Sequence, residues 1–184
     1  MALIDRAKNI LLTPKTEWPT IAGEAATTQS IYVGYVLKLA AIGPVALLLG
    51  GGMPGVTFAI VSYIVSLVVV FAAALIVDAL APSFGGEKNL VQSLKLVAYS
   101  CTAAWIAGIF NLLPFIGGIL GLLAGLYTLY TFYLGAPVLK KCAADKAVVF
   151  TIVVVVCGVI LGMVLGWILF QSGMGGMAGY GMLR

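Results

Sequence analysis

Five stretches of this 184-residue chain are long and apolar enough to cross a bilayer, which takes about 20 residues of helix. They lie at about 31–50, 56–80, 92–112, 116–137 and 147–170. Turn residues separate them: Gly50-Gly51-Gly52-Met53-Pro54-Gly55 after the first, Pro82 after the second, Asn111 and Pro114 after the third, Pro137 after the fourth. The apolar run 94–139 is too long for one crossing and Pro114 interrupts it, so two antiparallel helices joined by a short hairpin are expected there. Only 9% of the residues are charged and 62% are hydrophobic, against about 25% charged in a soluble domain. The mean hydropathy is +1.17. The fold class expected is an all-α integral membrane protein with five transmembrane helices.

Charge sets the orientation. Five spans place residues 1–30, the 81–92 loop and the 138–146 loop on one face. That face carries Arg6, Lys8, Lys15, Lys88, Lys140, Lys141 and Lys146, with Lys95 at its rim, so eight of ten basic residues share a side. The 50–55 and 111–116 turns carry none, and the C-terminal tail carries Arg184 alone. Basic loops stay cytoplasmic, which predicts a cytoplasmic N-terminus and an outer C-terminus. The net charge of +4 follows this pattern and forms no stripe suited to nucleic acid.

Residues 1–30 are expected to be a cytoplasmic or interfacial segment. Leu3, Ile4, Ala7, Ile10 and Leu11 fall at helical spacing, with Asp5, Arg6, Lys8 and Asn9 on other faces, so a short amphipathic helix lying at the interface is predicted. Thr13 before Pro14 suits an N-cap followed by proline at the first helical position. Trp18 suits the headgroup level. No cleavable signal peptide is expected, and 171–184, rich in Gly and Met, reads as a flexible tail.

No catalytic residue is predicted. The chain has no histidine, which removes His-based triads, metal ligands and proton relays. Cys101, Cys142 and Cys157 are far apart and match no zinc or CxxC spacing. Paired carboxylates, GxSxG, HExxH and the P-loop are absent. Met174, Met177 and Met182 are soft ligands without a His or Cys beside them. Neither a cofactor nor a metal is expected.

Two features within the spans invite attention. Gly117, Gly121 and Gly125 in the fourth span, and Gly158, Gly162 and Gly166 in the fifth, repeat at i+4. Such stripes let helix backbones approach closely, so they are expected to pack within the bundle, or else between copies in a homo-oligomer. The second feature is a polar layer in the cytoplasmic half: Lys38, Asp78, Lys95, Tyr99, Tyr130 and Thr131. Counted from residue 31, Lys38 lies about 10 Å into its span and leans toward the cytoplasm. It is expected to pair with Asp78, for which Lys95 is a rival, or simply to snorkel.

Some stretches resemble a known family. They are Gly85-Gly86, Leu96-Val97-Ala98-Tyr99-Ser100, Leu112-Leu113-Pro114-Phe115-Ile116-Gly117 and Tyr133-Leu134-Gly135. Together with Pro14-Lys15-Thr16-Glu17-Trp18, Ile21 and Glu24, they resemble the Yip family of Ypt/Rab-interacting-protein-like membrane proteins, in its bacterial branch. One departure is the Cys-Thr-Ala-Ala at 101–104, where many members carry a proline. The resemblance implies five spans, a cytoplasmic N-terminus and a bacterial inner-membrane location. It does not extend to the long N-terminal region that serves GTPase partners in the eukaryotic branch. The expected role is a non-enzymatic interaction or membrane-organising module in contact with the lipid bilayer, its protein partner unknown. The alternative is a small transporter or channel for an ion, metabolite or lipid, working through the polar layer.

Overall fold

The computed structural model describes residues 2–50, 55–143 and 145–181, with 55, 114 and 168–181 described by backbone alone. Every regular element among them is helical. Five helical stretches are long and apolar enough to span a membrane: Thr28–Leu49, Val56–Phe84, Leu90–Leu112, Phe115–Lys140 and Ala147–Trp167. Below, the near side is the one facing residues 1–27, and the far side is the opposite one.

Two short helices precede the spans, α1 (Leu3–Leu12) and α2 (Pro14–Gly23). Proline opens α2 as expected, but the Thr13 hydroxyl donates back to the Asn9 carbonyl at 3.2 Å and does not cap. The first span starts at Thr28 because Thr27 and Ser30 form a reciprocal capping box, with 3.1 and 2.9 Å bonds. It then runs through α3 (Thr28–Ile31), a π-helical turn (Tyr32–Val36), α4 (Leu37–Ala40) and α5 (Ile42–Leu49). Pro44 removes a backbone donor in the turn that follows the break at Ala41.

The second span is α6 (Gly55–Leu80), continued by a 3₁₀ turn (Ala81–Phe84) that ends at Gly85 in a left-handed conformation, φ 77°. The third is α7 (Leu90–Ser100), capped by the Asn89 side chain on Gln92 N at 3.1 Å, then α8 (Thr102–Ala107) and a 3₁₀ turn (Gly108–Leu112). The fourth is α9 (Pro114–Lys140). Pro137 does not end it: the helix continues one further turn, which draws Lys140 out of the expected loop and into the span. The fifth is α10 (Ala147–Gly181). Its backbone stays helical through residues 171–181, where a flexible tail was expected. No proline interrupts the run from 147 to 181. Residues 182–184 and the side chains of Met174, Met177 and Met182 lie outside the described residues.

Most large buried side chains sit in the near half. Ile10, Trp18 and Ile21 from the N-terminal helices join Val77, Leu94, Leu96 and Phe150 in one core. The amphipathic segment is therefore part of the bundle, wedged against α7 and α9. Trp18, expected at headgroup level, is fully buried and donates from Nε1 to the Thr131 carbonyl at 3.0 Å. Its ring rests on Gly135, where an added Cβ would meet Trp18 carbon at 2.6 Å.

Tyrosines stitch the first span to its neighbours. Tyr32 donates to the Leu67 carbonyl at 3.0 Å and Tyr63 to the Leu37 carbonyl at 2.8 Å. The Tyr35 hydroxyl shares a 2.7 Å bond with Thr102 Oγ1. On the far side the first and third spans meet backbone to backbone, where a Cβ on Gly108 would come within 2.9 Å of Gly43 Cα.

Candidate functional site

The charged and polar side chains of the near half form two adjoining clusters. In the first, Arg6 on α1 is buried and ion-paired with Glu17 on α2 and with Glu24 just beyond it. Its guanidinium also lies 5.7 Å from the centre of the Tyr99 ring, within reach of a cation–π attraction. Lys95, buried on α7, points at the C-terminal end of α2, donating to the Ile21 carbonyl at 2.8 Å and the Glu24 carbonyl at 2.6 Å. Those carbonyls are the unsatisfied, negative end of a helix, so Lys95 serves as a cap across the bundle. Gln92 adds a 3.2 Å bond to the Ala22 carbonyl.

Asp78 organises the second cluster. Its Oδ1 accepts from Asn89 N at 2.7 Å, Ser93 Oγ at 3.0 Å and Lys140 Nζ at 2.9 Å. Lys140 is fully buried and donates again to the Asn89 carbonyl at 3.2 Å. This ties α6, the loop before α7 and the end of α9 into one knot. A second strand of the knot is backbone: Glu87 N donates to the Lys140 carbonyl at 2.9 Å. Gly86 packs there so closely that a Cβ would sit 2.7 Å from that carbonyl. Burial of the Cys142 thiol beside it pushes its pKa above the ordinary thiol range, while the nearby Lys140 charge pulls the other way.

Asp78 therefore pairs with Lys140, neither with Lys38 nor with Lys95. Lys140 was read as a loop residue because of Pro137, so its pairing was missed. Lys38 makes no ion pair or hydrogen bond among the described residues, and it is exposed on the surface that faces lipid. It is also deeper than expected. The span begins at Thr28, which puts Lys38 ten residues from one end and eleven from the other, about 15 Å in at 1.5 Å per residue. A cation at such a depth costs about 2.5–3.5 kcal/mol on insertion scales.

The tyrosines divide as well. Tyr99 stacks edge-on against Tyr35, ring centres 4.5 Å apart, and its hydroxyl has no hydrogen-bond partner among the described residues. Thr131 is buried and bonds back to the Thr128 carbonyl at 2.9 Å. Tyr130 turns outward and is exposed, so it does not share a patch with Tyr99. Tyr127, on the intervening face, reaches the Leu11 carbonyl at 2.6 Å. Between α1 and the first span lies a polar pocket of about 160 Å³, lined by Arg6, Glu24, Ser30, Tyr35 and Tyr99. Arg6 and Glu24 neutralise each other on its wall. Among the described residues no three of His, Cys, Asp and Glu gather as a metal site.

The glycine stripes are not where the bundle closes. A Cβ on Gly121, Gly125, Gly158, Gly162 or Gly166 would meet nothing within 4 Å. Gly117 alone of the six is tight, packed under the Phe110 carbonyl in the hairpin. Gly121, Gly162 and Gly166 are exposed, and Gly158 opens onto a cavity it shares with α6, α7 and α9, so no neighbouring atom among the described residues closes onto them. The glycines that do close the bundle, Gly43, Gly86, Gly108 and Gly135, carry no common period.

The model of the Yip1 domain matches residues 8–178. No curated protein and no solved structure matches.

Proposed function

The chain belongs to the Yip1-domain family, and on that premise we propose that this multi-pass membrane protein is a non-enzymatic interaction or membrane-organising module. We further place it in a bacterial inner membrane with the near side cytoplasmic, which the one-sided distribution of basic residues supports. One observation carries the reading. The buried charges of the near half are consumed by the fold itself: Arg6 by Glu17 and Glu24, Lys95 by the end of α2, Lys140 by Asp78. A transport site needs polar groups free to exchange partners and a path that opens to either side in turn. Here those groups lock the N-terminal helices and the loops onto the spans.

A specific observation favours a second reading. The 160 Å³ polar pocket holds the unpartnered Tyr99 hydroxyl, and a small transporter for a polar solute would use such a place. Reconstitution separates the two. Vesicles containing the purified protein should be as tight to small ions and a small fluorescent anion as empty vesicles. Flux that is lost in Tyr99→Phe would overturn the module reading.

A further inference from the structure

Among the described residues of the five spans, Lys38 is the charged side chain without a partner in its own chain. From mid-span, its four-carbon stem covers less than half the distance to either end. A lipid phosphate sits outside the hydrocarbon and reaches such a depth only where the bilayer thins locally, at a cost that rises with each ångström. The carboxylates of this chain are no help. Asp5, Glu17, Glu24, Asp78, Glu87 and Asp145 belong to the near half or its loops, and a second copy in the same orientation would hold its own at that level too. A counter-charge at the depth of Lys38 has to arrive on a helix of another protein.

The surface around Lys38 is shaped for one. Lys38, Ala41, Val45 and Leu49 fall at i, i+3, i+7 and i+11, a single stripe along the first span. With Ile109 and Leu112 of the third span, this stripe forms an apolar groove of about 300 Å³ that begins at Lys38 and runs toward the far side. Alanine in the groove, at 41 and 46, lets a neighbouring backbone come close.

We propose that this face of the first span is an intramembrane docking site for a transmembrane helix of a different protein, one that carries a single Asp or Glu near the middle of its span. This rests on the reading of the chain as an interaction module and names the chemistry of its partner. Apolar contact along the groove supplies packing, and the carboxylate meeting Lys38 supplies depth and register, because a mismatched helix would leave both charges in hydrocarbon.

Energy transfer in liposomes tests it. The full-length protein, donor-labelled at its N-terminus, is mixed with acceptor-labelled synthetic Leu/Ala helices of about 20 residues, with either Asp or Leu at the centre. The Asp helix should associate with the wild type about tenfold more tightly than the Leu helix, a difference of about 1.4 kcal/mol. Lys38→Met should erase that preference, and Lys38→Asp should transfer it to a helix with a central Lys. Neither change disturbs a contact within the chain, so circular dichroism should show both variants folded. Equal binding of the Asp and Leu helices, or a preference that survives Lys38→Met, would overturn the proposal. So would a Lys38-dependent enrichment of phosphatidylglycerol around the protein that abolishes helix binding. Flux across vesicles is measured separately, so failure here is distinguishable from failure of the module reading.

Discussion

The two halves of the bundle are held by different physics. In the near half, large side chains fill the space between helices, and charged groups are buried as pairs or on helix ends: Trp18, Phe150, Lys95 and Lys140 are all fully buried there. In the far half, the buried residues are small, such as Ala46, Ala59 and Ala107. Contact there is made by backbones meeting at Gly43 and Gly108, while Leu49, Phe115 and Ile119 face outward. Lipid hydrocarbon is as apolar as leucine, so burying an aliphatic side chain gains little in a membrane, and close fit and polar contacts must do the holding. The N-terminal helices bring both to the near half, in the form of one indole and one guanidinium. The far half has only fit. One end of the molecule is therefore a fastened block, and the other is a set of helices whose outer faces are left to whatever surrounds them.

That contrast can be broken most severely at Trp18. Trp18→Ala removes the ring that rests on Gly135 and the bond to the Thr131 carbonyl, and should cost about 3–5 kcal/mol, read as loss of thermal stability in detergent. The N-terminal helices should also become accessible to protease. A melt shifted by less than about 0.5 kcal/mol, the range of ordinary surface changes, would mean that these helices merely lie on the bundle. Next comes the Asp78 knot. Asp78→Leu strands the fully buried Lys140 ammonium, for a similar cost of about 3–5 kcal/mol, and Asp78→Leu/Lys140→Leu together should recover a large part of it. Lys38→Leu combined with Asp78→Leu should instead be additive within about 0.3–0.5 kcal/mol. Coupling between Lys38 and Asp78 would contradict the pairing seen here.

Both halves were easier to read from sequence as a set of spans than as a set of contacts. Length and hydropathy mark a helix that crosses lipid, whichever neighbour it has, so the five spans were legible. The side on which charge collects was legible too. Pairing is another matter. Asp78 and Lys140 are 62 residues apart, and their meeting depends on which helices are adjacent and on Pro137 failing to end α9. Lys95 reads as a rim charge in the sequence, because its partners are the carbonyls at the end of α2, which any residue type presents. Trp18 carries the same composition signal whether it sits at a headgroup or in a core. The glycines are the opposite case. Periodicity is visible in a sequence, but a close contact between two helices crossing at an angle needs only one glycine on each, and Gly43 and Gly108 have no repeat to announce them.

Those glycines offer the subtlest test of the contrast. At Gly108 a side chain would collide with backbone of the first span, which cannot rotate aside, so Gly108→Leu should destabilise by about 1–3 kcal/mol, the usual range for overpacking. The first span should also become easier to extract or crosslink separately. Gly162→Leu adds more bulk to a more regular motif and should still shift the melt by less than about 0.5 kcal/mol, because a Cβ there has open space. If the stripe on α10 instead joins copies of this chain, Gly162→Leu should leave the melt of the monomer alone and change the mass measured by light scattering in detergent. The pair of variants thus separates two roles that a glycine row shares in sequence. Loss of stability belongs to a contact inside the bundle, whereas loss of mass belongs to a contact between bundles.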